Sequence, residues 1–204
     1  MKANAIVLLL MLLTTAGCRS VVPDDQVEIR DDLYYRTGAA RPLNGVVRGL
    51  HASGRVAFEM RYRDGKQNGW SRSWHENGTL EDEVLYKDGT ANGRYREWHP
   101  NGRLKSEGVN VTNIAVGTVT EWYPNGRKMA ETLYTEDDGA VRTTQYHENG
   151  QRAWIGVWET VDGASGWTRI MEWDKDGHPL TNALSRAQNQ APGDTARKLA
   201  DPQR

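Results

Sequence analysis

The sequence predicts an all-β protein: tandem β-hairpin repeats of about 24 residues, forming an elongated antiparallel meander that is mostly a single layer. Three observations carry that prediction. Trp98-His99-Pro100-Asn101-Gly102-Arg103 recurs in near copies around Gly78, Gly126 and Gly150, and in weaker copies around Gly54 and Gly177. Successive glycines of this series lie 24, 24, 24, 24 and 27 residues apart, and a fixed period of that length marks a repeat architecture. A second glycine series (Gly45, Gly69, Gly93, Gly117) keeps the same period in another phase. Each unit therefore carries two turn signals. Asn-Gly between alternating side chains is a strong hairpin signal, because a two-residue type I′ turn needs positive φ at both central positions. The Asn-Gly of each motif is thus expected to close a hairpin, and the longer stretches at 62–69 and 86–93 to join one hairpin to the next. About ten to twelve short strands result.

Taken in order, residues 1–17 read as a signal peptide. Lys2 precedes an apolar run over 3–13 that is too short to span a bilayer, and Thr15-Ala16-Gly17 supply small residues before Cys18. That ending resembles a bacterial lipobox, which implies cleavage before Cys18 and acylation of its thiol, including palmitate-type chains. Two or more chains give a stable membrane anchor. The alternative is an ordinary signal peptide beside an incidental cysteine. Cys18 is the only cysteine, so no disulfide framework exists. Residues 18–32, polar and charged with Pro23, are expected to be a lipidated tether. Residues 33–44 look like a partial first unit, and the repeat domain spans 33–180. The pattern loosens after Gly139, and the 27-residue step absorbs an insertion near 162–166. Residues 181–204 lack the pattern and are expected to be a disordered tail.

A two-residue turn at Asn101-Gly102 fixes the cross-strand register. Trp98 then faces Lys105, Arg96 faces Glu107, and the same offsets pair Arg72 with Glu83, Arg48 with Glu59 and Thr120 with Glu131. Opposite charges directly across a hairpin contribute roughly 0.2–1 kcal/mol each, which makes the glutamate column structural rather than catalytic. The same face carries Leu50 and then Trp74, Trp98, Trp122, Tyr146 and Trp173, one per hairpin. These five aromatics are the candidate binding residues, with packing as the competing and favoured role. The other face mixes Phe58, Met60, Val84 and Trp154 with Ser73, Asp82, Glu97 and Glu121. Neither face is cleanly apolar, so stacking of neighbouring units is expected to hold the sheet.

His51, His75, His99 and His147 share one phase of the repeat, with Tyr123 and Asp174 filling it elsewhere. Equivalent residues sit two strands apart, about 9–10 Å, whereas metal–nitrogen bonds are near 2.0–2.1 Å. The column therefore reads as turn-flanking and solvated, with no metal and no cofactor. No phosphate loop, GxSxG elbow or HExxH motif occurs. Equivalent repeated surfaces replace the single constellation that catalysis needs, so no enzyme activity is expected. With 26 basic and 27 acidic residues there is no basic footprint for nucleic acid.

The stretches 69–93 and 93–109 resemble the bacterial variant of the MORN repeat, and the resemblance extends over roughly 33–180. Proteins with such tandem units are often labelled YwqK-family antitoxins. The resemblance implies a repeat scaffold without catalytic residues. Joined to the lipobox, it suggests a membrane-anchored, protein-binding lipoprotein of the cell envelope, at the outer membrane where there are two membranes, since Arg19 rather than Asp follows Cys18. Its specific form is an antitoxin or immunity-type protein that neutralises an envelope-acting toxin. The alternative is a structural scaffold or glycan-binding lipoprotein of the envelope.

Overall fold

The computed structural model describes residues 21–135, 141–161 and 164–180. Three short strands come first: β1 (Val21–Pro23), β2 (Val27–Arg30) and β3 (Leu33–Arg36). The repeats follow as β4 (Gly45–Leu50), β5 (Val56–Arg63), β6 (Lys66–Gln67), β7 (Gly69–Trp74), β8 (Leu80–Lys87), β9 (Thr90–Trp98) and β10 (Leu104–Val111). The series closes with β11 (Ile114–Trp122), β12 (Lys128–Tyr134), β13 (Val141–Tyr146), β14 (Arg152–Val161) and β15 (Ala164–Glu172). From β4 to β15 each strand pairs antiparallel with its chain neighbour in one open sheet of 13 strands, the two-residue β6 lying off the path against β5. The all-β hairpin meander is therefore present, with a few more strands than expected.

The first correction concerns the tether. Val21–Pro23 of the expected 18–32 linker pairs parallel to β4, and β2 pairs with β3 in a separate hairpin. Val22 is 1 % exposed and packs with Leu43, Val47 and Tyr62, while Val27 and Tyr34 of the hairpin pack on the same cluster. Apolar side chains scattered among the charges of 21–36 are enough to fold this segment over the first unit. That end of the sheet thus has a second layer. The pattern at 33–44 is accordingly not a partial repeat, because β3 pairs with β2 rather than with the main sheet.

The turns are the second correction, and they exchange roles. At each motif the amide of the glycine bonds the carbonyl three residues back, and the residue at that carbonyl pairs with the one after the glycine: Gly102 N to His99 O and His99 N to Arg103 O, both 2.8 Å. Only the glycine has positive φ, +78° at Gly102. This is a three-residue loop, a type I turn plus a left-handed glycine. Pro100 takes the second turn position that its fixed φ suits, and Asn101 Oδ1 accepts the Arg103 amide at 3.0 Å. The two-residue turns with positive φ at both centres lie instead between the units, at Asp64-Gly65, Asp88-Gly89 and Thr112-Asn113, and also at Asp31-Asp32.

Register follows from this. Trp98 faces Leu104, not Lys105. One residue further on a β-bulge leaves Lys105 without a direct partner, and Arg96 faces Glu107 as expected. The longer loop and the bulge cancel. The same compensation operates in the hairpins ending at Leu50, Trp74, Trp122 and Tyr146, so Arg48–Glu59, Arg72–Glu83 and Thr120–Glu131 are paired too.

The core lies on the face opposite the tryptophan column. Val84, Tyr86, Ala91, Tyr95, Ala115 and Val119 form one buried cluster, with Tyr134 packed beside it. Tyr95, 2 % exposed, lies over Gly108 on the neighbouring strand, where an added Cβ would come within 2.7 Å of its ring. Glycine opposite an aromatic lets a one-layer sheet bury a large ring. Gly49 opposite Phe58 repeats the arrangement.

Candidate functional site

The motif residues do most of their work between units. His51, His75 and His99 place Nε2 at 2.6, 2.9 and 2.8 Å from the carbonyls of Trp74, Trp98 and Trp122, and His147 reaches Trp173 O at 3.0 Å. A carbonyl only accepts, so Nε2 carries the hydrogen in every case. Where the histidine is replaced by Tyr123, its hydroxyl donates to Tyr146 O at 2.8 Å. Far from being a solvated column, these rings are half-buried cross-links. The asparagines act in parallel: Asn77 Nδ2 donates to Pro100 O at 2.7 Å and Asn101 Nδ2 to Pro124 O at 2.8 Å. Arg103 and Arg127 add Nη1 bonds to Pro124 O and Glu148 O at 3.2 and 3.1 Å. The repeated His, Asn and Arg therefore hold one turn to the next. Each is already committed.

Trp74, Trp98, Trp122, Tyr146 and Trp173 stand in the expected column, each half-buried. Beside them runs a charge ladder. Arg48 Nε lies 2.8 Å from Glu59, Arg72 Nε 3.2 Å from Glu83, and Arg96 reaches both Glu83 (3.7 Å) and Glu107 (3.5 Å). The ladder thus crosses from one hairpin to the next. Near its far end the face opens: Val109 is 38 % and Leu133 40 % exposed, and the arginines facing them across the sheet, Arg94 and Arg142, are exposed as well. This strip joins apolar surface and guanidinium groups on the aromatic-bearing face, beyond the ladder from the tryptophan column.

The opposite face holds what sequence reasoning missed. A cleft of about 430 Å³ lies between the β2–β3 hairpin and the sheet. Val27 and Tyr34 form one side and Phe58, Met60 and Val84 the other, with Ser71, Ser73 and Asp82 as polar groups. Ser73 Oγ donates to Asp82. Burial raises the Asp82 pKa above the ordinary carboxylate range against the pull of that hydroxyl, and Glu81 and Glu97 add to the rise. Asp82 faces Glu97, Glu97 faces Ser106, and Ser106 faces Glu121 across successive strands. Lys105, the bulged residue, sets its ammonium 2.9 Å from Glu97 Oε2. Glu121 is also raised, by burial first and then by Glu97. Among the described residues no three His, Cys, Asp or Glu side chains converge as a metal site. The signal available in the sequence was the cluster of apolar residues on the Ser73–Asp82 face. The hairpin that completes the cleft straddles the expected tether (18–32) and the expected partial unit (33–44), so neither expectation brings its two strands together. Cys18 and residues 1–17 and 181–204 lie outside the described residues.

The family model described as MORN repeat variant matches residues 67–88 and 91–113. Each match covers one hairpin, from the end of one inter-unit turn to the next, so these two hairpins are similar to MORN-variant repeats. No curated protein is matched by the chain.

Proposed function

We propose that this array of MORN-variant repeats is a non-enzymatic, membrane-anchored lipoprotein that binds a protein partner on its tryptophan-bearing face. The observation that carries the reading is the strip of Val109 and Leu133 between exposed Arg94 and Arg142, on the same face as the half-buried aromatic column and separated from it along the strands by the Arg–Glu ladder. Aromatic and arginine side chains around exposed apolar groups are the types that dominate binding energy at protein interfaces. The repeated polar residues support it, because their hydrogen bonds go to neighbouring turns and leave no shared constellation for chemistry. Acylated Cys18 is the anchor in this proposal, and the cell envelope is the location. Within it, the antitoxin label suggests that the partner is an envelope-acting toxin, covered and inactivated by the sheet.

The test is crosslinking of tagged full-length protein in the native cell, followed by identification of what co-purifies from membranes. One secreted, toxin-like protein in near-equal amount, lost in a Val109→Glu/Leu133→Glu variant that still folds, supports the proposal. Recovery of wall fragments alone, or equal recovery by that variant, refutes it. A cytosolic location of the intact protein sinks the lipoprotein part separately.

A further inference from the structure

The cleft on the opposite face combines three features that call for a particular ligand. Its volume, about 430 Å³, falls within the range of small-molecule sites, which are mostly apolar with a few placed polar groups. Its walls come from two separate layers, the β2–β3 hairpin and the main sheet, so it is a space between elements rather than a dimple on one. Its polar end is a carboxylate without a cation. Asp82 receives the Ser73 hydroxyl, yet no Lys or Arg among the described residues forms an ion pair with it, and Glu81 and Glu97 surround it with like charge. His75 exerts the weakest pull on Asp82, and its ring is committed at Nε2 to Trp98 O and lies 3.7 Å from Glu81 at Nδ1. Arg72 also borders the cleft, but its guanidinium is held by Glu83 on the other side of the sheet. Lys105 is occupied by Glu97.

We infer that this cleft binds a small organic ammonium, with the apolar body against Phe58, Met60 and Val84 and the cationic head at Asp82. A neutral apolar molecule would leave the carboxylate without a cationic partner, and an anion would meet the Asp24 and Asp82 carboxylates that line the cleft, with Glu81 close to Asp82. An ammonium supplies the missing charge and donates to the Asp82 oxygens that Ser73 leaves open. The chemistry is that of an aliphatic or aryl-alkyl amine of drug-like size or smaller. No bond is made or broken. The inference stands apart from partner binding on the other face and does not depend on the lipid anchor.

The experiment titrates the full chain, labelled at the methionine methyls, with hexylammonium, and in parallel with hexanol and hexanoate. Saturable shifts of the Met60 resonance with hexylammonium, and about tenfold or more weaker binding in Asp82→Asn, are expected from loss of a charge-assisted hydrogen bond. Ser73→Ala, which frees Asp82 of its hydroxyl, should bind at least as tightly, and it keeps the test decisive if Asp82→Asn fails to fold. Equal binding of hexanol, an unchanged affinity in Asp82→Asn, or loss of binding in a folded Ser73→Ala overturns the inference. So does the absence of a saturable Met60 shift with hexylammonium. Binding of a lysine-containing peptide along the whole face, with none by the small amine, would assign the site to a protein segment instead and equally overturns it.

Discussion

Replacing His99 by phenylalanine keeps a planar ring in the half-buried position and removes the Nε2 hydrogen that bonds Trp122 O at 2.8 Å. A typical intramolecular hydrogen bond contributes about 0.5–1.5 kcal/mol net, and a carbonyl stripped of its partner costs about 1–3 kcal/mol when fully buried. Half-burial places the expected loss at about 1–2 kcal/mol. In a domain of this size that lowers Tm by roughly 2–8 °C, at about 2–4 °C per kcal/mol. The control is His99→Tyr, because Tyr123 already fills the same place one unit later and reaches the next carbonyl at 2.8 Å. Urea melts followed by tryptophan fluorescence would compare the three proteins. If His99→Phe is neutral, or if His99→Tyr is as damaging as His99→Phe, the cross-links do not hold the units together and the reasoning fails.

Gly108→Ala should cost about 1–3 kcal/mol by overpacking, since its Cβ would meet the Tyr95 ring at 2.7 Å, whereas Gly166→Ala, with nothing within 4 Å, should stay near neutral; denaturation midpoints that do not separate the two would refute the steric account. Glu121→Gln should stabilise at neutral pH: the folded-state pKa is raised, chiefly by burial and then by Glu97, so the acid's contribution is fully present below the unfolded value and is lost as pH rises through the folded one. The advantage of the variant in thermal melts should therefore fade on acidification below the ordinary carboxylate range, and a constant advantage at all pH would contradict it. A double-mutant cycle of Arg96→Ala and Glu107→Ala should give a coupling of roughly 0.2–1 kcal/mol that shrinks in molar salt; a salt-independent value would mean that packing, not charge, links them.

Much of the architecture was legible because the repeat imposes a period of 24 and strand alternation a period of two. The Arg–Glu pairs follow from those two numbers. The turns were misassigned because Asn-Gly fits two hairpin geometries, and the proline of Pro100-Asn101-Gly102 favours the type I form with its single left-handed residue. Asp64-Gly65 and Asp88-Gly89 carry the tighter geometry, and Thr112-Asn113 reaches it without glycine. The aromatic column was visible, but its relation to the histidines was not. Sequence places His99 and Trp122 almost one period apart, while only the folded sheet shows that a ring nitrogen meets a carbonyl. The cleft was hidden for a different reason: its near wall is the β2–β3 hairpin, whose charged sequence gives little sign that Val27 and Tyr34 pack, half-buried, against the first unit.

The cancelling loop and bulge make each hairpin a parity check. If Lys105 were paired instead of bulged, the return strand after Leu104 would slip by one, and alternation would turn it inside out. Ser106 and Gly108 would then leave the buried side, and Lys105 and Glu107 would replace them against Glu97 and Tyr95. A lone insertion or deletion elsewhere in an arm is therefore read as an error along the rest of the strand, while loss of the bulged residue itself leaves the pairs as they are. Such an array can drift in side chains more freely than in length. The bulged positions (Ala57, Glu81, Lys105, Met129 and Ala153) have no directly facing residue in their hairpin, and the side chain there changes from one unit to the next.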